Sequence, residues 1–275
     1  MSAELDDAAI DARLSVAVQA AHAAGEGLLA AFEGELTIQT KSSEADLVTQ
    51  ADREAEAVVV EHLRAAFPDD GVWAEESGEI AAGSGPGWVV DPLDGTTNFA
   101  HRFPHFSVSI GLFDGPEGLL GVVYDPCRDE TFYARRGGGA WLTSPRHAGR
   151  RLQVTDATAL SRSLLATGFG YDRPAGGNVA EFAHMVRRVR GIRRAGSAAL
   201  DLAYVAAGRL DGFWEHGLQP WDWAAGVVLV REAGGEVRTM HDQPWQLRGP
   251  SVCTAGPGLQ PLLLRALAEV SRPSA

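Results

Sequence analysis

Residues 91–99, Asp-Pro-Leu-Asp-Gly-Thr-Thr-Asn-Phe, are the segment of this sequence best suited to chemistry. Two carboxylates, Asp91 and Asp94, stand three residues apart between the apolar run 88–90 and a turn of small residues. Carboxylate oxygens are ligands that Mg²⁺ prefers, and free backbone amides at a turn or helix start bind phosphate. The segment therefore predicts a site for a divalent metal and a phosphate group. The alternative is an ordinary surface turn, because Asp-Pro and Asp-Gly are common turn dipeptides.

Further acidic residues stand where other predicted elements begin or end. Asp52 and Asp222 open helical patterns, where the alternative role is an N-cap that accepts a backbone N–H. Glu75 and Glu76 follow a short predicted strand, where an acidic pair is often only a solvated surface feature. Glu215 stands next to two aromatic residues, which favours an edge or a cleft over the core. Each position is weak evidence alone, and the set becomes informative only in combination.

Alternating helical and strand patterns must position these residues. Apolar residues at a 3.6 period predict helices over 10–32 and 52–66, and later over 197–207, 223–233 and 259–270. Strands are predicted at 106–112, 119–124, 131–134, 140–142, 164–166 and 252–254. The polar and basic stretch 143–151 suggests a boundary between an N-terminal domain at 1–145, with helices and an antiparallel sheet, and a C-terminal α/β domain at 146–275. We therefore expect an α+β and α/β layered sandwich with helices packed on sheets.

The overall composition excludes several classes of function. Lys and Arg number 24 against 36 Asp and Glu, a formal net charge of −12 that repels nucleic acid and anionic membranes. The two cysteines, Cys127 and Cys253, lack metal-ligand spacing and are expected to be small buried hydrophobic residues. The sequence shows neither a signal peptide nor an apolar run near the roughly 18 residues that span a bilayer. We expect a cytoplasmic protein without nucleic-acid or membrane partners.

Taken in order, these motifs resemble the inositol monophosphatase family. The resemblance rests on segments 41–52, 74–77, 91–99 and 221–226, and it extends from about residue 10 to about residue 256. Members of that family are Mg²⁺-dependent, lithium-sensitive phosphatases of small phosphomonoesters, and they are commonly homodimers. The resemblance implies a fold of alternating α and β layers, the inositol-monophosphatase-like sugar phosphatase fold.

The resemblance also implies a set of metal ligands. Glu75, Asp91 and the backbone carbonyl of Leu93 would hold a first metal, and Asp91, Asp94 and Asp222 would hold a second. Glu75 would also touch a weaker third metal on a loop around Lys41. The implied cofactor is Mg²⁺, two or three ions per subunit, with Mn²⁺ as a substitute.

The catalytic and substrate-binding roles are implied in the same way. Asp52 and Thr96 would form a hydrogen-bonded pair that takes a proton from the attacking water, and Glu75 would act with them. Gly95 and Thr96 would offer amides to the phosphate, and Asp94 and Asp222 would meet substrate as well as metal. Ala198 and Glu215 would contact substrate hydroxyls, since a carboxylate accepts hydrogen bonds from a polyol.

The expected substrate is a small phosphorylated polyol or sugar, with inositol 1-phosphate first. Histidinol phosphate and fructose 1,6-bisphosphate are the alternatives within the family. A different class of function is a catalytically idle metal-binding interaction protein, but such a degenerate member should lack at least one of the implied ligands. The run of arginines at 187–194 stands out in an acidic protein, where a solvated face, a subunit contact or a contact to a distal phosphate are the open interpretations.

Overall fold

The computed structural model describes residues 5–34, 38–40, 47–80, 85–170 and 177–270. The helices in these ranges are α1 (Asp7–Glu33), α2 (Gln50–Ala66), α3 (Thr96–Ala100), α4 (Val179–Met185), α5 (Ala198–Ala206), α6 (Pro220–Glu232) and α7 (Gln260–Ala268). None of the helices in the described ranges is long and apolar enough to cross a membrane.

The strands of the first half are β1 (Ile38–Thr40), β2 (Leu47–Thr49), β3 (Gly71–Ala74), β4 (Gly78–Ile80), β5 (Gly87–Asp94), β6 (Ser107–Asp114), β7 (Glu117–Asp125), β8 (Glu130–Arg135), β9 (Gly139–Ser144) and β10 (His147–Arg151). Those of the second half are β11 (Leu164–Thr167), β12 (Gly191–Arg193), β13 (Gly212–His216), β14 (Glu236–Arg238) and β15 (Ser251–Ala255). β1 and β2 form a separate antiparallel pair.

Two sheets carry the fold. The first has eight strands in the order β10-β9-β8-β7-β6-β5-β3-β4, and the second has five in the order β12-β11-β13-β15-β14. The first sheet is antiparallel except that β3 and β5 run parallel. In the second sheet β12, β11 and β13 are parallel, while β15 is antiparallel to both of its neighbours. The strands predicted at 119–124, 131–134 and 140–142 are antiparallel as expected, and the parallel β3–β5 pair makes the sheet as a whole mixed.

Helices α1 and α2 cover one face of the first sheet. Their inward residues, among them Leu28, Val59 and Leu63, pack against Trp88 and Ile110 of β5 and β6 in one buried apolar cluster. The spacing of the apolar residues explains this placement, because positions three and four apart share one face of a helix. The two helices predicted from 10–32 and 52–66 are confirmed.

Helices α5 and α6 lie between the two sheets. The approach of α6 to the first sheet is close because Gly111 and Gly121 carry no side chain. A Cβ at Gly111 would lie 2.9 Å from the Cβ of Ala224, and one at Gly121 would overlap the backbone carbonyl of Ala225. The middle layer therefore depends on small residues on both partners.

The second sheet is covered on its outer face by α4 and α7. Met185 of α4 and Leu263 of α7 belong to one buried cluster with Trp214 and Cys253 of the sheet. The layers therefore follow the order α1/α2, first sheet, α5/α6, second sheet, α4/α7. This alternation confirms the predicted layered sandwich. It also explains why the strand predicted at 106–112 is buried on both faces, since helices cover each side.

The structure adds detail at two places where the sequence pattern was ambiguous. The stretch 143–151, expected as a boundary, pairs as a β9–β10 hairpin at the edge of the first sheet, so that sheet continues past residue 146 to Arg151. The division into domains at 1–145 and 146–275 stays a prediction. Asp52, for which an N-cap was the alternative role, is the third residue of α2, because the helix begins at Gln50.

Candidate active site

The parallel pairing of β3 and β5 brings two of the predicted acidic residues to one edge of the first sheet. Glu75 follows β3, and its backbone N–H donates to the Val90 carbonyl at 3.2 Å. Asp91 is the next residue of β5 and is only 1% exposed. Its Oδ1 accepts the backbone N–H of Leu93 at 3.0 Å, which fixes the carboxylate at the start of the turn. The adjacency of Glu75 and Asp91 therefore follows from strand register.

The turn after β5 is shaped by one glycine. Gly95 has φ of +101°, and a Cβ there would lie 3.1 Å from the His105 carbonyl and 3.2 Å from the Gly196 carbonyl. Both the left-handed backbone and the close approach require glycine. Thr96 then begins the short helix α3, and its hydroxyl donates to the Leu93 carbonyl at 3.1 Å. The turn thus places Leu93, Gly95 and Thr96 next to one another.

Asp94 connects the first sheet to the middle helix layer. Its Oδ2 accepts the Ala199 N–H at 2.8 Å and the Ser197 hydroxyl, and its Oδ1 accepts the Ala198 N–H at 3.3 Å. These donors form the start of α5, where an anionic group is favoured by the unpaired N–H groups and the helix dipole. The contact spans 105 residues of sequence between Asp94 and Ala199. A carboxylate of the first half therefore holds a helix of the second half in place.

Asp222 reaches the same place from α6. It is the third residue of that helix, and its Oδ2 accepts the Gln219 N–H at 2.7 Å. Asp91, Asp94 and Asp222 each offer a carboxylate oxygen that lies within 4.8 Å of the others. The convergence of Asp222 with the Asp91 and Asp94 pair is therefore present in the fold.

A second acidic group lies beside the first. Asp52, Glu75 and Glu76 also offer carboxylate oxygens within 4.8 Å of one another. The backbone N–H of Glu76 donates to the buried Glu56 carboxylate at 2.7 Å, and Glu56 lies one helical turn after Asp52 on α2. The association of Glu76 with Asp52 was not predicted. The predicted Asp52–Thr96 pair stays a prediction, and the loop around Lys41 lies outside the described residues.

Burial and mutual repulsion raise the pKa values of the clustered carboxyl groups. The pKa of Asp91 is raised well above its usual range, first by burial and then by the charges of Glu75 and Asp94. The pKa of Asp222 is raised well above its usual range by burial, then by Asp94 and Glu75. Burial raises the pKa of Asp94 to about 6, although the hydrogen bonds from the start of α5 lower it. An all-oxygen donor set with this repulsion suits a hard divalent cation such as Mg²⁺.

These elements surround a cavity of about 470 Å³ between the first sheet, the middle helices and the second sheet. Of the ten residues predicted for the site, nine line this cavity: Glu75, Asp91, Leu93, Asp94, Gly95, Thr96, Ala198, Glu215 and Asp222. The tenth, Asp52, is buried behind them on α2. Cavities of this size hold small ligands. The described structure thus brings the predicted residues to one concave site.

The second sheet also contributes residues to the cavity, among them Thr167 and Glu215. Glu215 lies on the central strand β13 and is buried, which raises its pKa to about 8, with the charge of Asp201 adding to the shift and that of Arg194 opposing it. Burial and the charge of Asp94 likewise raise the pKa of Asp201 well above its usual range. The neighbouring Trp214 is fully buried and belongs to the core, as the usual role of such aromatics predicts.

Sequence reasoning did not single out several polar residues of this site, among them Ser197, Asp201 and Asn178. Ser197 caps α5 by accepting the Leu200 N–H at 3.3 Å and also donates to Asp94. Asp201 lines the cavity four residues later, so the helical spacing from a recognisable Ser N-cap would have found it. Asn178 lines the cavity next to the second sheet, and no local pattern distinguishes it.

Comparison with known proteins agrees with this geometry. The model of the inositol monophosphatase family matches residues 10–272. An inositol-1-monophosphatase of Synechocystis sp. is 44% identical over 258 residues, which cover 93% of this chain and 88% of the relative. The protein named Nus factor SuhB of Pseudomonas aeruginosa is 47% identical over 233 residues, covering 82% of this chain and 84% of the relative.

The similarity extends to solved structures. The crystal structure of the extragenic suppressor protein suhB from Bartonella henselae superimposes with a TM-score of 0.87 at 42% identity, covering 93% of this chain and 98% of that one. The chain therefore belongs to the inositol monophosphatase family, a family of phosphatases. The resemblance drawn from the motifs and the fold that it implied are both confirmed.

Proposed function

We propose that this protein hydrolyses a small phosphomonoester in a Mg²⁺-dependent reaction, with inositol 1-phosphate as the preferred substrate. The observation that carries the proposal is the convergence of Asp91, Asp94 and Asp222 in a cavity that is also lined by Glu215 of the second sheet. A phosphate and the hydroxylated body attached to it need these two environments within one site.

We call the part of the cavity formed by Glu75, Asp91, Leu93, Asp94 and Asp222 the metal end. Glu75, Asp91 and the Leu93 carbonyl would hold one cation, and Asp91, Asp94 and Asp222 a second. Bound divalent cations would activate water and stabilise charge on the attacking and leaving oxygens. Thr96 and Gly95 line the cavity beside these ligands and would position the phosphate. Asp52 lies behind Glu75, where its buried carboxylate would accept a proton in concert with the Thr96 hydroxyl.

The residues near the second sheet favour a hydroxylated substrate. The carboxyl groups of Glu215 and Asp201 can form hydrogen bonds with hydroxyl groups, and Ala198, at the start of α5, lines the same cavity. A second phosphate would add negative charge next to these two carboxyl groups, and the Arg194 guanidinium, which also lines the cavity, would offset part of that charge. Two carboxyl groups against one guanidinium favour a phosphorylated polyol over a sugar bisphosphate.

A substrate comparison tests the proposal. With saturating Mg²⁺ we expect kcat/KM for inositol 1-phosphate to exceed that for histidinol phosphate, fructose 1,6-bisphosphate and 3′-phosphoadenosine phosphate by about 10-fold or more. A preference for another ester in this panel would replace the substrate but keep the phosphatase. A pure protein inert toward all four would instead support the alternative class, an idle metal-binding interaction protein.

Glu215→Gln is expected to raise KM for inositol 1-phosphate by about 10-fold, because the amide replaces a carboxyl oxygen, which can accept from a substrate hydroxyl, by a nitrogen that only donates. KM for 4-nitrophenyl phosphate, which has no sugar or polyol hydroxyl, should change little. Steady-state kinetics on both esters measure the difference. Glu61→Gln, the same exchange at an exposed position of α2, is the control. Equal effects on the two esters would remove Glu215 from substrate recognition.

Other expectations drawn from the family also remain proposals. They are inhibition by Li⁺, replacement of Mg²⁺ by Mn²⁺, a homodimeric assembly and a cytoplasmic location. The second of these is checked in the same assay, by titrating Mn²⁺ in place of Mg²⁺.

A further inference from the structure

The Glu215 carboxylate lies against a glycine of the neighbouring strand. Gly168 directly follows β11, which pairs in parallel with β13 so that Thr167 stands beside Trp214. A Cβ built on Gly168 would overlap both carboxylate oxygens and Cδ of Glu215. The backbone of Gly168 does not have a positive φ, so its conformation would accept other residues. The close approach of Glu215 is thus the feature that requires glycine at this position.

The backbone at Gly168 is held by a closed set of buried hydrogen bonds. The Asn178 amide donates to the Gly168 carbonyl at 2.6 Å and to the Thr167 hydroxyl. The Trp214 indole N–H donates to the Asn178 amide oxygen at 2.7 Å, and the Thr167 hydroxyl donates to the Trp214 carbonyl at 2.6 Å. Asn178, Thr167 and Trp214 are all buried.

These hydrogen bonds decide which group yields when a side chain is added. Withdrawal of the Gly168 backbone would leave buried donors and acceptors unpaired, which is unfavourable because these groups would have lost water without gaining a partner. The end of the Glu215 side chain, in contrast, borders the cavity and has open space to turn into. A side chain at position 168 would therefore displace the Glu215 carboxylate and leave the strand where it is.

We propose that Gly168 is a specificity-determining positioning residue, because its missing side chain, with the Asn178 hydrogen bonds, places the Glu215 carboxylate where it meets a hydroxyl of the substrate. The inference rests on the proposed function. The class of substrate that depends on Gly168 is a phosphomonoester with a hydroxylated body long enough to reach β13. Esters without such hydroxyl groups contact the metal end alone, so their hydrolysis does not depend on the residue at position 168.

The test is Gly168→Ala, measured with inositol 1-phosphate and with 4-nitrophenyl phosphate at saturating Mg²⁺. A carboxylate displaced by about 1 Å loses its aligned contact, so kcat/KM for inositol 1-phosphate should fall by about 10- to 100-fold. The value for 4-nitrophenyl phosphate should stay within about twofold, because the metal end is untouched. Gly177→Ala is the matched control, since Gly177 lines the same cavity but a Cβ there meets no atom of the described residues within 4 Å.

The Glu215→Ala background separates positioning from other effects of the methyl group. Glu215→Ala removes the carboxylate that the new Cβ would strike, so adding Gly168→Ala should change kcat/KM by less than about twofold. If Gly168→Ala alone fails to fold, the double variant should recover a folded protein, because the overlap is gone.

The outcomes are distinct. A wild-type protein that is active on both esters, with an unchanged preference in Gly168→Ala, overturns this inference alone. The same holds if Gly177→Ala shifts the preference equally, if Gly168→Ala is equally harmful without the Glu215 carboxylate, or if neither the single nor the double variant folds. A wild-type protein inert toward both esters overturns the proposed function and this inference together.

Discussion

Asp91→Asn is expected to lower kcat/KM for phosphomonoester hydrolysis by about 10³-fold or more while leaving the fold intact. Asp91 is the carboxylate proposed for both cations, and it lies in the field of Glu75, Asp94 and Asp222. Loss of its charge weakens both cation sites together. The amide oxygen of asparagine can still accept the Leu93 N–H that Asp91 accepts at 3.0 Å, so the turn should survive.

Kinetics over a Mg²⁺ titration and a melting curve measure the two parts of this prediction. Asp91 is a cleaner choice than Asp94, because both oxygens of Asp94 accept N–H groups at the start of α5. The NH2 group of an asparagine at position 94 would face one of these N–H donors. Glu61→Gln again serves as the neutral control. Near-normal turnover of Asp91→Asn would show that Asp91 holds no cation needed for the reaction.

In the absence of divalent cations, the free energy of unfolding of this protein is expected to fall as pH rises from about 4 to above 6. Burial raises the pKa of Asp94 from 3.8 to about 6, so the folded state holds this proton more tightly than the unfolded state. The contribution of this proton to stability is fully present below the pKa that Asp94 has in the unfolded state. It is lost as pH rises through the pKa of Asp94 in the folded state. For Asp94 alone the loss is about 3 kcal/mol. Asp91 and Asp222 shift in the same direction.

Melting temperatures between pH 4 and pH 8, with EDTA and with Mg²⁺, test this effect. Ion pairs outside the cluster, such as Arg13–Asp70, are present with and without cations, so the comparison with the cation-loaded protein isolates the acidic cluster. Mg²⁺ at 100 times its Kd should add about 2.7 kcal/mol at neutral pH. Metal-free Asp91→Asn should gain stability over the wild type as pH rises. Identical pH profiles with and without Mg²⁺ would contradict the cation site.

The local part of this site was predictable from sequence. Residues 91–99 carry their own turn chemistry, and the left-handed Gly95 is what an Asp-Gly dipeptide predicts. The helices and strands that flank the segment follow from apolar periodicity. The family resemblance added the distant partners Asp222 and Glu215, which no pattern of periodicity brings together.

The long-range part was not predictable, for physical reasons. Asp94 meets the start of α5 across 105 residues, and the only local signal is a serine before a run of small residues. Asp222 was considered as an N-cap, yet it is the third residue of α6 and accepts the N–H of Gln219. Hairpin β9–β10 is polar because it forms a sheet edge, and its composition alone looked like a boundary.

Gly111 and Gly121 affect the geometry of the acidic cluster although they lie outside it. They fix how near α6 can settle on β6 and β7, and α6 carries Asp222 near its first turn. One extra methyl group in that seam would lift the whole helix, and the gap between Asp222 and its two partners would widen with it. The spacing of the carboxylates therefore depends on the distance between the layers. Residues that contact neither a cation nor an ester thus influence the affinity of the site for both.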